Sequence, residues 1–577
     1  MVPPPRSGAA RAVPSEDDPT ALYARPPTTG APSTGDDDMA GWNYAEIWEV
    51  IAQQIPDAPA QIQGERVLTW RQFDERANGI AHTLLEAGAA EQDKVAQYLY
   101  NCPEYLESMF AAWKAGLVPV NTNYRYADDE LVYLWDNADA VAVVFHGSFT
   151  ETIERILDRV PRVKTWLWVD DGTGTCPSWA TPYEDAAASH LTKVEASWGR
   201  DGDQLYMLYT GGTTGMPKGV MWRQDDHIRN IIALGTNPRY AEDPVDYSVP
   251  AELVNGPGIV SVPACPLMHG TGCMTQLIAL SGGGCVVTLE SRHLDIEELF
   301  DTIEARGANT TAIVGDAFAK PMLRVLDAEP DRWDLSTMFV FTSSGVMFSE
   351  AAKQGLLRHL PHAMIVDAFS SSEAVGMGQS VSAAGGGAHT AKFQLGPNTK
   401  VFTEDHREVQ PGSGEIGKVA VGGHQPIGYY KDPEKTAATF LTVDGKRYSV
   451  PGDFATVEAD GTITLLGRGS VCINTGGEKV FPEEVEEVLK TNDAVHDAVA
   501  VGVPDEKFGE AITAVVELNP GAALDEADLI AHVKSHLAHY KAPKRCLTIE
   551  SIGRAPNGKV DYKRLKQYAA DQLGITV

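Results

Sequence analysis

The chain has 577 residues, 43% of them apolar and 22% charged, a globular composition that excludes a mostly disordered or fibrous protein. Because one compact core rarely grows this large, several lobes are expected, about four by length alone. The 79 acidic residues outnumber the 47 basic ones, and the net charge of −32 argues against nucleic acid or an anionic membrane as the main partner.

The first 40 residues differ in composition from the rest of the chain. They hold eight prolines and the acidic triad at 36–38, with few large aliphatic side chains. Such a segment cannot offset the entropy of ordering, so we expect a disordered tail over 1–40, with Met39 as an alternative start. The seven cysteines show no zinc spacing, and we find neither a signal peptide nor a long apolar run. A cytoplasmic protein without stable membrane insertion is therefore expected.

The elements that follow alternate between helix and strand. Thr69 begins a capping box ahead of an amphipathic helix that Gly88 can end. The apolar run at 95–100, a helix over 104–115 and the strand-like residues 117–120 form a βαβ unit. Further strand-like runs lie at 140–145, 285–289, 311–314, 338–342 and 364–366. The pattern predicts a large α/β part with doubly wound, mainly parallel sheets.

The pattern changes after about residue 467. Pro482 opens a helix with an acidic first turn, which suits the positive end of a helix dipole. Predicted strands and a second helix follow at 495–503, 511–518 and 529–537. We therefore expect an N-terminal domain over 41–467 and a small α+β C-terminal domain over 468–577.

The stretch most informative for chemistry lies at 209–219, directly after a strand-like run. It reads Tyr-Thr-Gly-Gly-Thr-Thr-Gly-Met-Pro-Lys-Gly. Its glycines let backbone N–H groups approach an oxyanion, its threonines add hydroxyl donors, and Lys218 adds a positive charge. A phosphate-binding loop and a flexible linker both fit this composition. The kinase-type loop is excluded because Met216 and Pro217 separate the third glycine from the lysine.

With this stretch the chain resembles the adenylate-forming superfamily of acyl-CoA synthetases, adenylation domains and luciferases. The family signature is close to T-S-G-T-T-G-x-P-K-G, and Gly211 here replaces its serine. The other family motifs follow in the same order between about residues 43 and 570. The sequence at 123–126, 219–223 and 313–316 most resembles that of actinobacterial-type synthetases for long-chain or steroid side-chain acids.

The resemblance implies a two-step reaction and its cofactors. A carboxylate would attack the α-phosphorus of ATP to give an acyl-adenylate, and the thiol of coenzyme A would then displace AMP. ATP, Mg²⁺, CoA and a hydrophobic carboxylic acid are the expected ligands. The family fold also implies a β-barrel-like subdomain and a mobile C-terminal domain that turns on a hinge beside Arg468. Ser470 stands where many relatives carry an Asp or Lys pivot.

The family motifs assign roles to individual residues. The resemblance makes Lys559, Glu373, Thr210 and His269 catalytic, with Glu373 also the Mg²⁺ ligand. The remaining implied contacts are to the nucleotide and CoA, and they are Thr210, Gly211, Gly212, Thr213, Thr214, Gly215, Lys218, Ser344, Gly345, Val346, Asp367, Ala368, Phe369, Ser370, Ser371, Ser372, Asp453, Arg468, Gly477 and Lys559. Within this set the family places Phe369 on adenine and Asp453 on the ribose.

Several alternatives stay open at this point. Taken singly, His269 fits a core histidine, Glu373 and Lys559 fit solvated surface residues, and Asp453 fits a turn. The glycine run 282–284, the segment 315–318, Met268 and Met347 favour a roomy apolar acid pocket. A medium-chain or aryl acid ligase, an enzyme that loads a carrier protein, and a catalytically idle acyl-AMP-binding homologue remain alternatives, and a homodimer is left open.

Overall fold

A computed structural model describes residues 41–575 except 213–214, 347, 388, 476–477, 506–507 and 556–557. The predicted tail over 1–40 lies outside the described residues, as do Thr213, Thr214, Met347 and Gly477 of the predicted site. The described residues form three β-sheets with helices packed between and around them.

The strands, numbered in chain order, are β1 (Pro59–Gln63), β2 (Arg66–Thr69), β3 (Lys94–Tyr98), β4 (Val118–Asn121), β5 (Ala140–His146), β6 (Thr165–Val169), β7 (Thr181–Pro182), β8 (Leu205–Gly212), β9 (Gly215–Arg223), β10 (Val260–Pro263), β11 (Cys285–Thr288), β12 (Thr310–Ile313), β13 (Val340–Ser344), β14 (Met364–Ser371), β15 (Ala374–Ala383), β16 (Lys392–Leu395), β17 (Thr399–Phe402), β18 (Ile416–Val421), β19 (Gly428–Tyr429), β20 (Phe440–Val443), β21 (Lys446–Ser449), β22 (Asp453–Val457), β23 (Thr462–Arg468), β24 (Ile473–Thr475), β25 (Glu478–Val480), β26 (Val495–Asp505), β27 (Gly509–Leu518) and β28 (Arg545–Thr548).

The α-helices are α1 (Tyr44–Gln54), α2 (Trp70–Glu86), α3 (Pro103–Lys114), α4 (Asp128–Asn137), α5 (Thr150–Ile156), α6 (Tyr183–Ala187), α7 (Gln224–His227), α8 (Ala233–Gly235), α9 (Ser248–Leu253), α10 (Gly270–Ser281), α11 (Ile296–Arg306), α12 (Gly315–Ala328), α13 (Glu350–His359), α14 (Pro433–Thr439), α15 (Pro482–Lys490), α16 (Glu526–His536) and α17 (Tyr562–Leu573). A π-helical turn over Ile228–Ile232 joins α7 to α8.

The largest sheet changes character along its width. Strands β1, β11, β10, β12, β13 and β14 run parallel to one another, with helices α11 to α13 packed on one face. From β14 onward the pairing is antiparallel through β15, β16, β23, β22 and β18, and these strands enclose an apolar core of their own. The antiparallel part corresponds to the barrel-like subdomain that the resemblance implied.

The second sheet carries the glycine-rich stretch. Its order is β19-β9-β8-β4-β3-β5-β6-β7, and it is parallel from β8 to β7. The predicted βαβ unit is β3, α3 and β4, and Thr69 closes the predicted capping box at the start of α2. The glycine-rich stretch differs from the loop we expected, because β8 and β9 form an antiparallel hairpin with Gly212 opposite Gly215.

The third sheet belongs to the C-terminal part of the chain. It joins β24 to β28 in a mostly antiparallel arrangement, with α15, α16 and α17 packed against it. The predicted helix at Pro482 and the strands near 495–503 and 511–518 are present as α15, β26 and β27. The predicted fold class, a large α/β part with mainly parallel strands plus a small α+β part, is therefore confirmed.

Candidate active site

One cavity of about 1920 Å³ lies between the large sheet, the β8–β9 hairpin and the C-terminal part. It is lined by nearly all the predicted site residues that the structure describes: Thr210, Lys218, His269, Ser344, Gly345, Val346, Asp367, Ala368, Phe369, Ser370, Ser371, Ser372, Glu373, Asp453, Arg468 and Lys559. Gly211, Gly212 and Gly215 lie at the facing ends of β8 and β9. Segments more than 300 residues apart in the sequence thus meet at one site.

The hairpin brings Thr210 and Lys218 to the cavity as directly opposed residues of β8 and β9. Lys218 does not stand alone there, because its ammonium group forms a salt bridge with Asp432 and lies 5.9 Å from the ring centre of Tyr429. Asp432 also caps α14 by accepting a hydrogen bond from the backbone N–H of Lys435. The sequence motif predicts the cation but not its carboxylate partner, which lies 214 residues further along the chain.

Glu373 sits in the turn between β14 and β15. The hydroxyl of Tyr429 donates a hydrogen bond of 2.8 Å to Glu373 Oε1, and Tyr429 is only 3% exposed. The hydroxyl of Ser449 donates to the backbone oxygen of Glu373. Tyr429 therefore orients the carboxylate and Ser449 anchors the backbone of Glu373, and the sequence pattern singles out neither residue.

Asp453 and Arg468 face each other across the paired strands β22 and β23. Arg468 Nε donates to Asp453 Oδ1 at 3.2 Å, and Asp453 Oδ2 is buried without a hydrogen-bond partner among the described residues. Burial raises the pKa of Asp453, and the Arg468 charge opposes that rise. A buried acceptor facing a cavity is the kind of group that a ligand hydroxyl satisfies.

The residues of β14 are anchored by contacts with neighbouring segments. Lys353 of α13 is fully buried and donates to Asp367 Oδ2 at 2.7 Å and to the backbone oxygen of His389 at 3.0 Å. Phe369 packs on Phe393 with ring centres 5.4 Å apart, so the ring predicted to stack on adenine already has one aromatic neighbour. Ser370 accepts a hydrogen bond from the backbone N–H of Gly376.

Lys559 reaches the cavity from the C-terminal part. The preceding Gly558 packs so closely against Val346 that an added Cβ atom would lie 2.8 Å from it. The Lys559 side chain is open to the cavity, yet protein surrounds it closely enough to lower its pKa. Burial is the main cause, the positive charge of Arg468 adds to it, and Glu373 acts in the opposite direction.

His269 lines the same cavity, at the N-terminal end of α10. Burial, followed by the charges of Lys559 and Arg125, lowers its pKa to about 3. The lowered pKa favours the neutral imidazole near pH 7, which suits a wall of the site.

Glu483 lines the cavity, although no sequence motif marks it as a site residue. Its carboxylate lies against the backbone of Gly467, where an added Cβ would lie 2.2 Å from Oε2, and only a glycine leaves that room. Burial and the neighbouring Glu486 raise the pKa of Glu483 to about 8. The first turn of α15 thus packs against the end of β23.

The predicted acid pocket is only partly as expected. Met268 lines the cavity, but Gly282, Gly283 and Gly284 do not, because they pack against the backbone and side chains near Gly258, Ile259 and Val254. Asp316 lines the cavity and accepts hydrogen bonds from the backbone N–H and hydroxyl of Ser349. The glycine run therefore serves close packing, and the space comes from other residues.

Comparison with known families gives two matches in this chain. Residues 48–430 match the model of the AMP-binding enzyme family, and residues 484–559 match the AMP-binding enzyme C-terminal domain. In the described part of the chain no helix is both long and apolar enough to span a bilayer.

Several similar curated proteins are named as ligases. A medium/long-chain-fatty-acid–CoA/3-oxocholest-4-en-26-oate–CoA ligase from Mycolicibacterium smegmatis is 40% identical over 537 residues, covering 92% of this chain and 97% of its own. A 3-oxocholest-4-en-26-oate–CoA ligase from Rhodococcus rhodochrous is 40% identical and covers 92% and 96%.

Solved structures share the fold at lower identity. The anthranilate CoA ligase AuaEII in complex with anthranoyl-AMP has a TM-score of 0.78 at 19% identity, covering 93% of this chain and 98% of its own. ATP-bound MatB from Rhodopseudomonas palustris has a TM-score of 0.75 at 24% identity, covering 92% and 100%. The matched families, the relatives and the fold agree, and the chain belongs to the AMP-binding enzyme family.

Proposed function

We propose that this protein joins a long-chain or steroid side-chain carboxylic acid to coenzyme A, with ATP cleaved to AMP and pyrophosphate through an acyl-adenylate. The observation that carries the proposal is the meeting of Lys559 with Glu373, Arg468 and the β8–β9 hairpin in one cavity. The names of the similar ligases support the choice of acid and of CoA.

The first step is opposed mainly by charge. A carboxylate that approaches a polyphosphate is repelled, and each pair of unit charges at 4 Å costs about 4 kcal/mol at an effective dielectric constant near 20. Lys559 would bind the substrate carboxylate and the α-phosphate together, and Thr210 would donate to the β- and γ-phosphates. Fixed donors and cations of this kind stabilise the transition state without rearranging during the reaction.

The proposal includes the nucleotide contacts. Asp453 would accept from the ribose hydroxyls through its unpartnered Oδ2, and Ser344, Gly345 and Phe369 would border the adenine. Lys218 would approach the phosphates while it keeps or exchanges its bond to Asp432. We also keep two predictions about the domains. The chain divides into domains at 41–467 and 468–577, and the C-terminal domain rotates about the residues that follow Arg468.

The residues present suit Mg²⁺. In the described part of the chain no group of three His, Cys, Asp or Glu side chains is arranged to hold a metal ion, and Mg²⁺ bound with a nucleotide needs only one or two carboxylates beside phosphate oxygens. Glu373 would hold the ion, which supplies neutralising charge on the phosphates. Tyr429 would keep the carboxylate turned toward it.

Substitution of Tyr429 by Phe should raise the Mg²⁺ concentration for half-maximal adenylation about tenfold, the lower end of what loss of a hydrogen bond to a metal ligand costs. The measurement is acid-dependent pyrophosphate exchange across a Mg²⁺ titration. Tyr430→Phe is the matched control, because its hydroxyl bonds Asp139 instead. An unchanged Mg²⁺ requirement in Tyr429→Phe would remove Tyr429 from the metal site.

CoA-dependent release of AMP tests the function as a whole. The purified protein should release AMP with long-chain fatty acids and steroid side-chain acids, and more slowly with acetate or benzoate. Preference for acetate or benzoate would contradict the proposed acid. Faster acyl transfer to a carrier protein than to CoA would favour the carrier-loading alternative, and no AMP release with any acid would favour an idle homologue.

A further inference from the structure

Asp432 is a carboxylate on the cavity wall to which the proposed chemistry gives no role of its own. It lies beside Lys218, whose ammonium group donates to Asp432 Oδ2. The other oxygen, Oδ1, accepts a hydrogen bond of 2.9 Å from the backbone N–H of Lys435 and so caps α14. The side chain therefore has two separate contacts, a helix cap on one oxygen and a bound cation on the other.

The backbone of Asp432 is fixed beside the strand that carries Lys218. The chain continues from β19 alongside β9, where the backbone N–H of Tyr430 donates to the oxygen of Gly219, the residue after Lys218. The backbone oxygen of Asp432 accepts a hydrogen bond of 2.7 Å from the hydroxyl of Thr436. With its cap, its backbone and its strand neighbour all bonded, Asp432 has little freedom to follow a moving partner.

The lysine is the member of the pair that can change partner. Its ammonium group sits on a flexible four-carbon stem, whereas the short side chain of Asp432 is held by the cap. The side chains of Lys218 and Asp432 are 39% and 28% exposed, so a ligand in the cavity can reach the pair. The ammonium group can therefore leave Asp432 for another anion without disturbing the N-terminus of α14.

The pair also lies close to the carboxylate proposed to hold Mg²⁺. The Lys218 ammonium group is 5.9 Å from the ring centre of Tyr429, and the Tyr429 hydroxyl donates to Glu373. Phosphate oxygens bound beside Glu373 would thus compete with Asp432 for the same ammonium group. Such competition lowers the affinity for phosphates, and the carboxylate left behind repels them.

We propose that Asp432 is an exchange partner for Lys218 and thereby weakens binding of the pyrophosphate product. ATP draws the ammonium group from Asp432 to its phosphates, and once pyrophosphate has formed the ammonium group returns to Asp432. This rests on the proposed function, and it deepens it by giving a residue outside the predicted site a part in product release. Because Asp432 acts through Lys218, it is a positioning residue.

Asp432→Asn tests the exchange, because asparagine caps a helix as well as aspartate does and carries no charge. The inhibition constant of pyrophosphate in CoA-dependent AMP release should fall about tenfold, a modest gain because the pair is partly exposed, and the KM for ATP should fall with it. Glu434→Gln is the matched control, since Glu434 lies in the first turn of the same helix but is exposed and does not line the cavity. Its inhibition constant should stay within about twofold of the unmodified protein.

A second pair of variants separates exchange from simple repulsion. Lys218→Met should raise the inhibition constant of pyrophosphate, and adding Asp432→Asn to it should change that constant less than about threefold, because the cation is gone. An equal gain with and without Lys218, or an unchanged or raised constant in Asp432→Asn alone, would overturn the proposal. Absence of AMP release with every acid in the unmodified protein would instead count against the proposed function.

Discussion

Replacement of Lys559 by alanine should lower the rate of acyl-adenylate formation on the order of 10²–10³-fold, the scale for removing one preorganised donor at a developing charge. Formation of the thioester from supplied acyl-adenylate and CoA should survive nearly intact. The two half-reactions differ because only the first brings a carboxylate against a phosphate. Pyrophosphate exchange measures the first, and release of AMP from synthetic acyl-adenylate measures the second.

The charge of Lys559 gives this prediction a pH dependence. Burial and Arg468 lower its pKa from the ordinary value of 10.5, and the ammonium form is the active one. The group is protonated below its pKa, so adenylation should decline as pH rises through a value below 10.5, while the second half-reaction should not follow that curve. A decline in both half-reactions together would point to unfolding instead.

Lys563→Ala is the matched control. Lys563 lies four residues further along, on the exposed side of α17, and its removal should leave both half-reactions unchanged. Equal losses of adenylation and of thioester formation in Lys559→Ala would show that the lysine supports the C-terminal fold and has no selective role in the first step.

The residues that could be predicted from sequence are those carried by local patterns and by the order of family motifs. Local patterns of a few residues, namely hydrophobic periodicity and helix-capping side chains, predict three features. These are the capping box at Thr69, the helix at Pro482 and the strands of the C-terminal part. Lys559 and Glu373 could be placed in one site because the motif order implies a shared fold.

The partners of those residues could not be predicted in the same way. Tyr429 bonds Glu373 across 56 residues of chain, and Lys218 pairs with Asp432 across 214. No local period or cap signals such pairs, since they depend on how separate strands meet. The strand pairing of Thr210 with Lys218 could not be predicted either, because glycine and threonine suit a flexible loop and a tight strand pair equally well.

These partners alter the meaning of the −32 net charge. Lys218 and Arg468 were expected to serve as cations for anionic substrates, and both lie against carboxylates, Asp432 and Asp453. The local field at the site is therefore close to balanced before ligands arrive. Binding of ATP would then draw on exchangeable pairs and on Mg²⁺.

Replacement of Lys353 by Met should destabilise the protein by about 3–5 kcal/mol, the range for removing one member of a buried ion pair. Lys353 is fully buried. Its loss leaves the carboxylate of Asp367, which is 4% exposed, without its cation. Burial already raises the pKa of Asp367, and Lys353 is the group that opposes this. Denaturant unfolding followed by tryptophan fluorescence measures the loss as a lower midpoint.

Lys392→Met is the matched control for burial. Lys392 pairs with Asp460 at 3.1 Å, but the two side chains are 35% and 58% exposed, so its loss should cost under about 1 kcal/mol. Equal costs for Lys353→Met and Lys392→Met would show that the buried pair has no special weight.

The double variant Lys353→Met/Asp367→Asn separates an unpaired charge from lost packing. If the cost comes from the stranded carboxylate, the double variant should recover most of the stability that Lys353→Met loses, because a neutral amide needs no cation. Since Asp367 opens the stretch of β14 that leads to Phe369 and Glu373, the KM for ATP should rise in Lys353→Met and return toward normal in the double variant. Recovery of stability without recovery of the KM for ATP would mean that the ion pair has a second role. Its charges would then orient β14 for nucleotide binding in addition to stabilising the fold.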